Sequence, residues 1–266
     1  MTLLREIVVH RARRPAQTAC LLALLLPGIA GAELILNGGV EYFDWKESTT
    51  PAVHETGPIA TFGLGYAQDR DSGLVLGYRG KLWGGSTNYE GSTLFGNAPL
   101  TGTTDYAGID NEFQMRLRRT STAGDRLDGV LGAGIDVWRR SLTAAQKEDY
   151  QVAYLRLGIE SNPFDVGRWS VAFGLKYPVW ARENAHLEQI GFDSNPLLTP
   201  GKDLSAYASL GYRFAERMQV VAYYDSFRFK RSEDVNAVLV GIGPQTLFQP
   251  PSRMDLIGIR LEYQVR

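Results

Sequence analysis

Residues able to move protons or attack an electrophile are sparse in this sequence. Beyond residue 32 it holds two histidines, His54 and His186, and no cysteine, because Cys20 is the single cysteine of the chain. His186 lies in Arg182-Glu183-Asn184-Ala185-His186-Leu187-Glu188, with Asp193 close by. A histidine beside carboxylates is an arrangement that can polarise water or a hydroxyl. No serine is spaced convincingly as a partner nucleophile, so His186 and Glu188 form only a candidate acid–base pair, set against a solvated loop histidine. His54-Glu55 reads as a loop and Asp69-Arg70-Asp71 as a turn. Gly63-Leu64-Gly65 has no helix after it, so it makes no phosphate cradle. Without a thiol after Cys20 there is no disulfide and no cysteine metal site, and no motif calls for a cofactor.

The elements that would carry these residues are strands. Residues 1–32 stand apart: Arg5, Arg11, Arg13 and Arg14 precede an apolar run from Ala19 to Ile29, and Ala30-Gly31-Ala32 supplies small residues. That is the make-up of an export signal cleaved near Ala32, with an apolar stretch too short to span a bilayer as a helix. From residue 33 on, period-two alternation recurs. The clearest case is Asp110-Asn111-Glu112-Phe113-Gln114-Met115-Arg116-Leu117-Arg118, with charged or amide side chains at even positions and mostly apolar ones at odd positions. Segments at about 34–46, 57–68, 72–84, 105–119, 126–140, 149–161, 167–180, 203–214, 217–230 and 254–266 share the pattern, each long enough for a tilted membrane strand. Short turns alternate with longer connections at 47–56, 85–104, 141–148, 181–202 and 231–253. The expected fold is all-β: a closed, antiparallel, up-and-down transmembrane β-barrel of ten strands, in preference to eight or twelve, with the long connections outside the cell. The formal net charge of −1 gives no basic surface for nucleic acid.

Placing the apolar face toward lipid sends the charges inward. Arg79, Lys81, Arg116, Arg118, Arg156, Arg168, Lys176, Arg213 and Arg260 then face Glu41, Asp110, Glu112, Asp128, Asp136, Glu160, Asp203, Asp225 and Glu262. Equal numbers predict paired networks, since isolated charges in a narrow low-dielectric lumen are costly. A barrel of this size has a lumen that side chains largely fill. Trp45, Trp83, Trp138, Trp180 and Phe227 end the rising strands, and Tyr106 and Tyr150 begin two descending ones. Simple parity points all seven inward, as an aromatic-lined mouth that could hold an apolar or sugar-like ligand. A bulge near each strand end would instead turn them outward as an interfacial girdle. Trp169 has lipid-facing parity at the opposite end.

Over residues 33–266 the sequence resembles the small single-chain bacterial outer-membrane β-barrels as a class. The resemblance rests on pattern, and the final Arg266 departs from the aromatic ending usual in that class. It implies outer-membrane localisation, contact with outer-membrane lipid and lipopolysaccharide, insertion by the barrel-assembly machinery, and a monomer. A structural or surface-interaction role with a plugged lumen is the leading expectation. A narrow solute channel and a rim enzyme follow. Among barrel enzymes the chain is similar to the omptin proteases in strand number only: it lacks their closely spaced aspartate pair and their Asp-x-His.

Overall fold

The structure is a computed structural model that describes residues 32–68, 73–92, 98–120, 126–161 and 168–265. The export signal expected over 1–32 falls outside them apart from Ala32, and so does the terminal Arg266. The described chain folds into β1 (Ala32–Glu47), β2 (Val53–Gln68), β3 (Leu74–Ser92), β4 (Pro99–Thr120), β5 (Arg126–Ser141), β6 (Lys147–Glu160) and β7 (Trp169–Asn184). A single 3-10 turn follows at Leu187–Ile190, then β8 (Gly201–Lys202), β9 (Ser205–Ala215), β10 (Met218–Lys230), β11 (Val235–Leu239), β12 (Gly243–Leu247) and β13 (Ser252–Val265).

Ten of these strands form one antiparallel ring in the order β13, β1 to β7, β9, β10, and β10 returns to pair with β13. Closure leaves no free edge and pairs the backbone polar groups between strands, which an apolar surrounding requires. The two-residue β8 pairs with the end of β10, while β11 and β12 form a separate hairpin. That hairpin, the 3-10 turn and the preceding loop share a small satellite core of Leu187, Phe192, Ala237 and Leu239.

The alternation assigns the two faces as expected. Val40, Phe62, Leu82, Phe113, Leu157, Phe173 and Ile257 point outward and are exposed, as are similar residues on the other ring strands. A continuous apolar band of this kind would be untenable in water and suits a lipid surrounding. Trp169 packs its ring 4.9 Å from Tyr212 at the turn end of that band.

One expectation needs correction. The connection at 47–56 is half strand and most of the described part of 85–104 is strand: β1 and β2 pair as far as Glu47 and Val53, and β3 and β4 as far as Ser92 and Pro99. The physical reason lies in threonine-rich, two-sided polar stretches such as Thr101 to Thr104. They lose the lipid-facing pattern but keep the backbone pairing and β-branched side chains that favour extended structure. The exterior side is therefore built of longer strands as well as longer loops.

Candidate functional site

The inside of the barrel divides into two layers. Toward the exterior, Phe43, Trp45, Ile59, Trp83, Tyr106, Trp138, Tyr150, Tyr154, Phe227, Phe229, Met254 and Leu256 form one buried cluster. Trp138 stacks on Tyr150 at 4.9 Å with the ring planes 7° apart, and Phe43 meets Tyr106 at 4.4 Å. Two inward glycines make room for these rings: a Cβ on Gly108 would collide with the Trp83 indole, and one on Gly134 with the Tyr154 ring. Trp45, Trp83, Trp138 and Phe227 therefore point into the lumen as parity requires, but they pack against one another and leave no mouth between them.

Trp180 departs from the parity reading. The pairing register of β6 with β7 slips between Ala153 and Tyr154, which face Trp180 and Pro178 respectively. The extra residue turns Trp180 out of the lumen, where it is 41% exposed, and Ala181 takes the inward position. Trp180 thus belongs to the outer wall, and the aromatic lining on the inside lacks it.

Above the rings sits a buried ionic cluster that the sequence reading missed. Arg140 donates to Glu47 at 3.0 Å, to Glu148 at 2.6 Å and to Glu55, whose other oxygen accepts the Tyr106 hydroxyl at 2.5 Å. Trp45 Nε1 donates to Glu47 at 2.9 Å, and Glu183 is buried. The signal was available: Glu47, Glu55, Arg140 and Glu148 continue the inward parity of β1, β2, β5 and β6, beyond the point where the apolar outer face ends.

Below the rings the lumen is polar. Glu160 accepts from Arg79 at 2.5 Å and from Arg156 at 2.8 Å, with Arg116 at 3.8 Å. Arg156 also reaches Glu112 at 3.4 Å and lies 3.6 Å over the Tyr207 ring. Lys81 bonds Glu41 at 3.1 Å, Arg260 bonds Glu262 at 2.6 Å and Lys176 bonds Asp225 at 2.7 Å. Asp110 and Asp136 face each other across β4 and β5, held by the Tyr154 hydroxyl and by Trp83 Nε1. Arg118 lies across the same strand pair from Asp128. Two other residues leave the inward set: Arg168 and Asp203 lie at the barrel surface, where Arg168 donates to Tyr212 and Asp203 is near Lys230. A cavity of about 200 Å³ runs among Arg79, Glu112, Arg116, Arg156, Glu160 and Glu262. Arg79 is about a third exposed there, so this half of the lumen meets solvent on the turn side.

His186 lies on the outside of the rim. Its Nε2 is 2.8 Å from Asp149, which also takes two hydrogen bonds from Arg139. Its partner is Asp149 on β6, and Glu188 sits in the 3-10 turn. His54, expected in a loop, belongs to β2 and contacts Asp44 at 3.2 Å. Among the described residues no group of acidic, histidine or cysteine side chains is arranged to hold a metal.

No protein-family model and no curated protein matches this chain. Among solved structures it is similar to the outer-membrane protease OmpT of Escherichia coli, at 10% identity, 88% of this chain, 97% of that one and a TM-score of 0.54. It also matches the translocator domain of the autotransporter NalP from Neisseria meningitidis, at 14% identity, 86% and 88% coverage and a TM-score of 0.39. Neisserial surface protein A matches at 10% identity, 88% and 98% coverage and a TM-score of 0.34. The chain has the fold of a bacterial outer-membrane β-barrel. At such identities the likeness concerns architecture, since one fold hosts many functions.

Proposed function

We propose that this protein is a non-conducting outer-membrane barrel whose cylinder acts as a rigid scaffold and whose exterior edge makes surface contacts. One observation carries the reading: the exterior half of the lumen is filled by stacked aromatic rings capped by the Arg140 carboxylate cluster. A solute entering the cavity on the turn side meets that layer before it can cross. Side chains in such close packing leave no water-sized path, and burying Arg140 with three carboxylates makes the layer costly to open. The exterior edge offers the contact surface: the extended β3–β4 hairpin and the β11–β12 hairpin, whose turn exposes Val240 and Ile242. Export by the N-terminal signal, insertion by the barrel-assembly machinery and a monomeric state in the outer membrane belong to the same proposal.

Planar-bilayer recording on the purified chain tests it. The expected trace has no unitary steps, whereas Trp138→Ala combined with Phe227→Ala produces steps by hollowing the aromatic layer. Stable steps from the unaltered protein would replace this reading with that of a narrow channel for small solutes.

A further inference from the structure

Beneath the ring layer two aspartates share one rung of the ladder. Asp110 of β4 and Asp136 of β5 are direct partners in the strand register, with Asp136 buried and Asp110 facing the turn-side cavity. Side chains placed opposite each other on one face have their Cβ atoms about 5 Å apart. The side-chain donors that reach them are neutral: the Tyr154 hydroxyl at 2.9 Å from Asp110, and Trp83 Nε1 at 3.3 Å from Asp136. The cations nearby are committed elsewhere. Lys81, opposite Asp110 on β3, bonds Glu41 of β1 at 3.1 Å. Lys176 of β7 bonds Asp225 of β10 at 2.7 Å, and its ammonium lies 3.6 Å over the Phe227 ring. Arg156 of β6 is divided between Glu112 and Glu160, and Arg260 of β13 bonds Glu262. The Tyr223 hydroxyl of β10 donates to Glu41, while β2 and β9 bring Ile59, Thr61, Ser205 and Tyr207, none of them charged.

The layer thus sets Glu41, Asp110, Glu112, Asp136 and Asp225 against Lys81, Lys176 and a shared Arg156. Anions in such excess are costly in a narrow lumen, and the two without an ion pair stand side by side. Hydrogen bonding gives a second, independent indication. The Tyr154 hydroxyl lies 2.9 Å from Asp110 and 3.1 Å from Glu112, yet it has one proton to give. Glu112 also accepts from Gln114 Nε2 and from Arg156, whereas Asp110 has no other side-chain donor among the described residues. Both contacts are satisfied when Tyr154 donates to Glu112 and a protonated Asp110 donates to Tyr154.

We infer that Asp110 and Asp136 form a proton-binding site, which holds one proton between two carboxyls and exchanges it with the solution on the turn side. Two anions on one rung of a low-dielectric lumen repel strongly, and a single proton removes that repulsion. Access comes from below, because Asp110 lines the cavity that meets solvent beside Arg79, and the ring layer lies on the other side. On release the proton passes from the Asp110 carboxyl to cavity water as hydronium and leaves two carboxylates behind. Asp136 holds the Trp83 indole and Asp110 the Tyr154 hydroxyl, and both rings belong to the buried aromatic cluster. The site therefore joins the charge state of the lumen to the packing of that layer.

Infrared spectroscopy tests this on the purified, folded chain with its aspartates isotope-labelled at the carboxyl carbon. At neutral pH a protonated-carboxyl stretch carrying the aspartate label is expected. It should shift within the mixing time on transfer to D2O and vanish reversibly as the pH is raised. Asp110→Asn and Asp136→Asn each supply a permanently neutral partner, so each should lose the band. Asp255→Asn, in an ion pair on the outer wall, should keep it. A heat-dependent gel shift checks that every variant is folded. The inference is overturned if the parent shows no such band, if the double variant keeps it, or if Asp255→Asn loses it. Survival in one single variant assigns the proton to the remaining aspartate alone and overturns the shared site. Deuterium exchange as slow as global unfolding overturns access from the cavity. The band is read whether or not the barrel conducts: stable steps in planar bilayers would end the non-conducting reading and leave the proton site standing.

Discussion

The exterior and turn-side halves of the lumen share one backbone cylinder and one side-chain parity, yet solve the problem of filling it in opposite ways. The exterior half is packed with rings and closed by one arginine holding three carboxylates. The turn-side half keeps its charges in a distributed network around a cavity that meets solvent. The carboxylates of both halves are buried, and the exposure of the cations makes the difference: Arg140 is sealed while Arg79 reaches solvent. An ion pair sealed from water must be fully compensated, while one beside a hydrated cavity can exchange a partner for water at little cost. On the proposed reading the exterior layer is the rigid stopper and the lower network a tolerant lining.

Mutations should separate the two halves, with the largest effects outside. Arg140→Met leaves Glu47 and Glu55 buried, and Glu148 half-buried, without their cation and is expected to cost about 3–5 kcal/mol, the range for breaking a buried ion pair. Adding Glu55→Gln should recover part of that loss in urea unfolding followed in lipid vesicles. Trp138→Ala removes a fully buried ring stacked on Tyr150, with an expected cost of about 3–5 kcal/mol in the same assay and the appearance of conductance. Gly108→Ala pushes a methyl group into the Trp83 indole, and overpacking of this kind costs about 1–3 kcal/mol. If Gly108→Ala proves neutral, the exterior layer is looser than a stopper must be.

On the turn side, Glu160→Gln should cost no more than about 1–2 kcal/mol, because Arg156 keeps Glu112 and Arg79 reaches solvent. A loss as large as that of Arg140→Met would erase the contrast between the halves. The smallest effect belongs to the exterior hairpin. Asp193 accepts the Val238 N–H at 2.8 Å and the Ser194 hydroxyl at 3.0 Å, and these bonds, the Val238 one first, hold its carboxyl below the usual range. A lowered folded-state pKa means that the contribution is present above the unfolded pKa and is lost as pH falls through the folded one. Hydrogen exchange of Val238 should therefore speed up in strong acid, and in Asp193→Ala at neutral pH.

Much of the inside was legible beforehand because a strand's period is two and a barrel has only two faces. Once Phe113, Met115 and Leu117 face lipid, Glu112, Gln114 and Arg116 must face in, and the pairing of Glu112, Arg156 and Glu160 follows from closeness in a narrow tube. Trp180 escaped that logic, since a one-residue bulge reverses parity and has no composition of its own. The Arg140 cluster escaped for another reason: the outward residues there are polar, so alternation fades although the strands continue.

By itself the sequence determined the class of fold and the lipid-facing band, because both depend on local periodicity and composition. Only the tertiary structure decided that the inward rings pack into one layer and that three carboxylates converge on Arg140. Those facts depend on which residues of distant strands share a rung. Register between strands is set by the whole ring closing on itself, and no single segment encodes it.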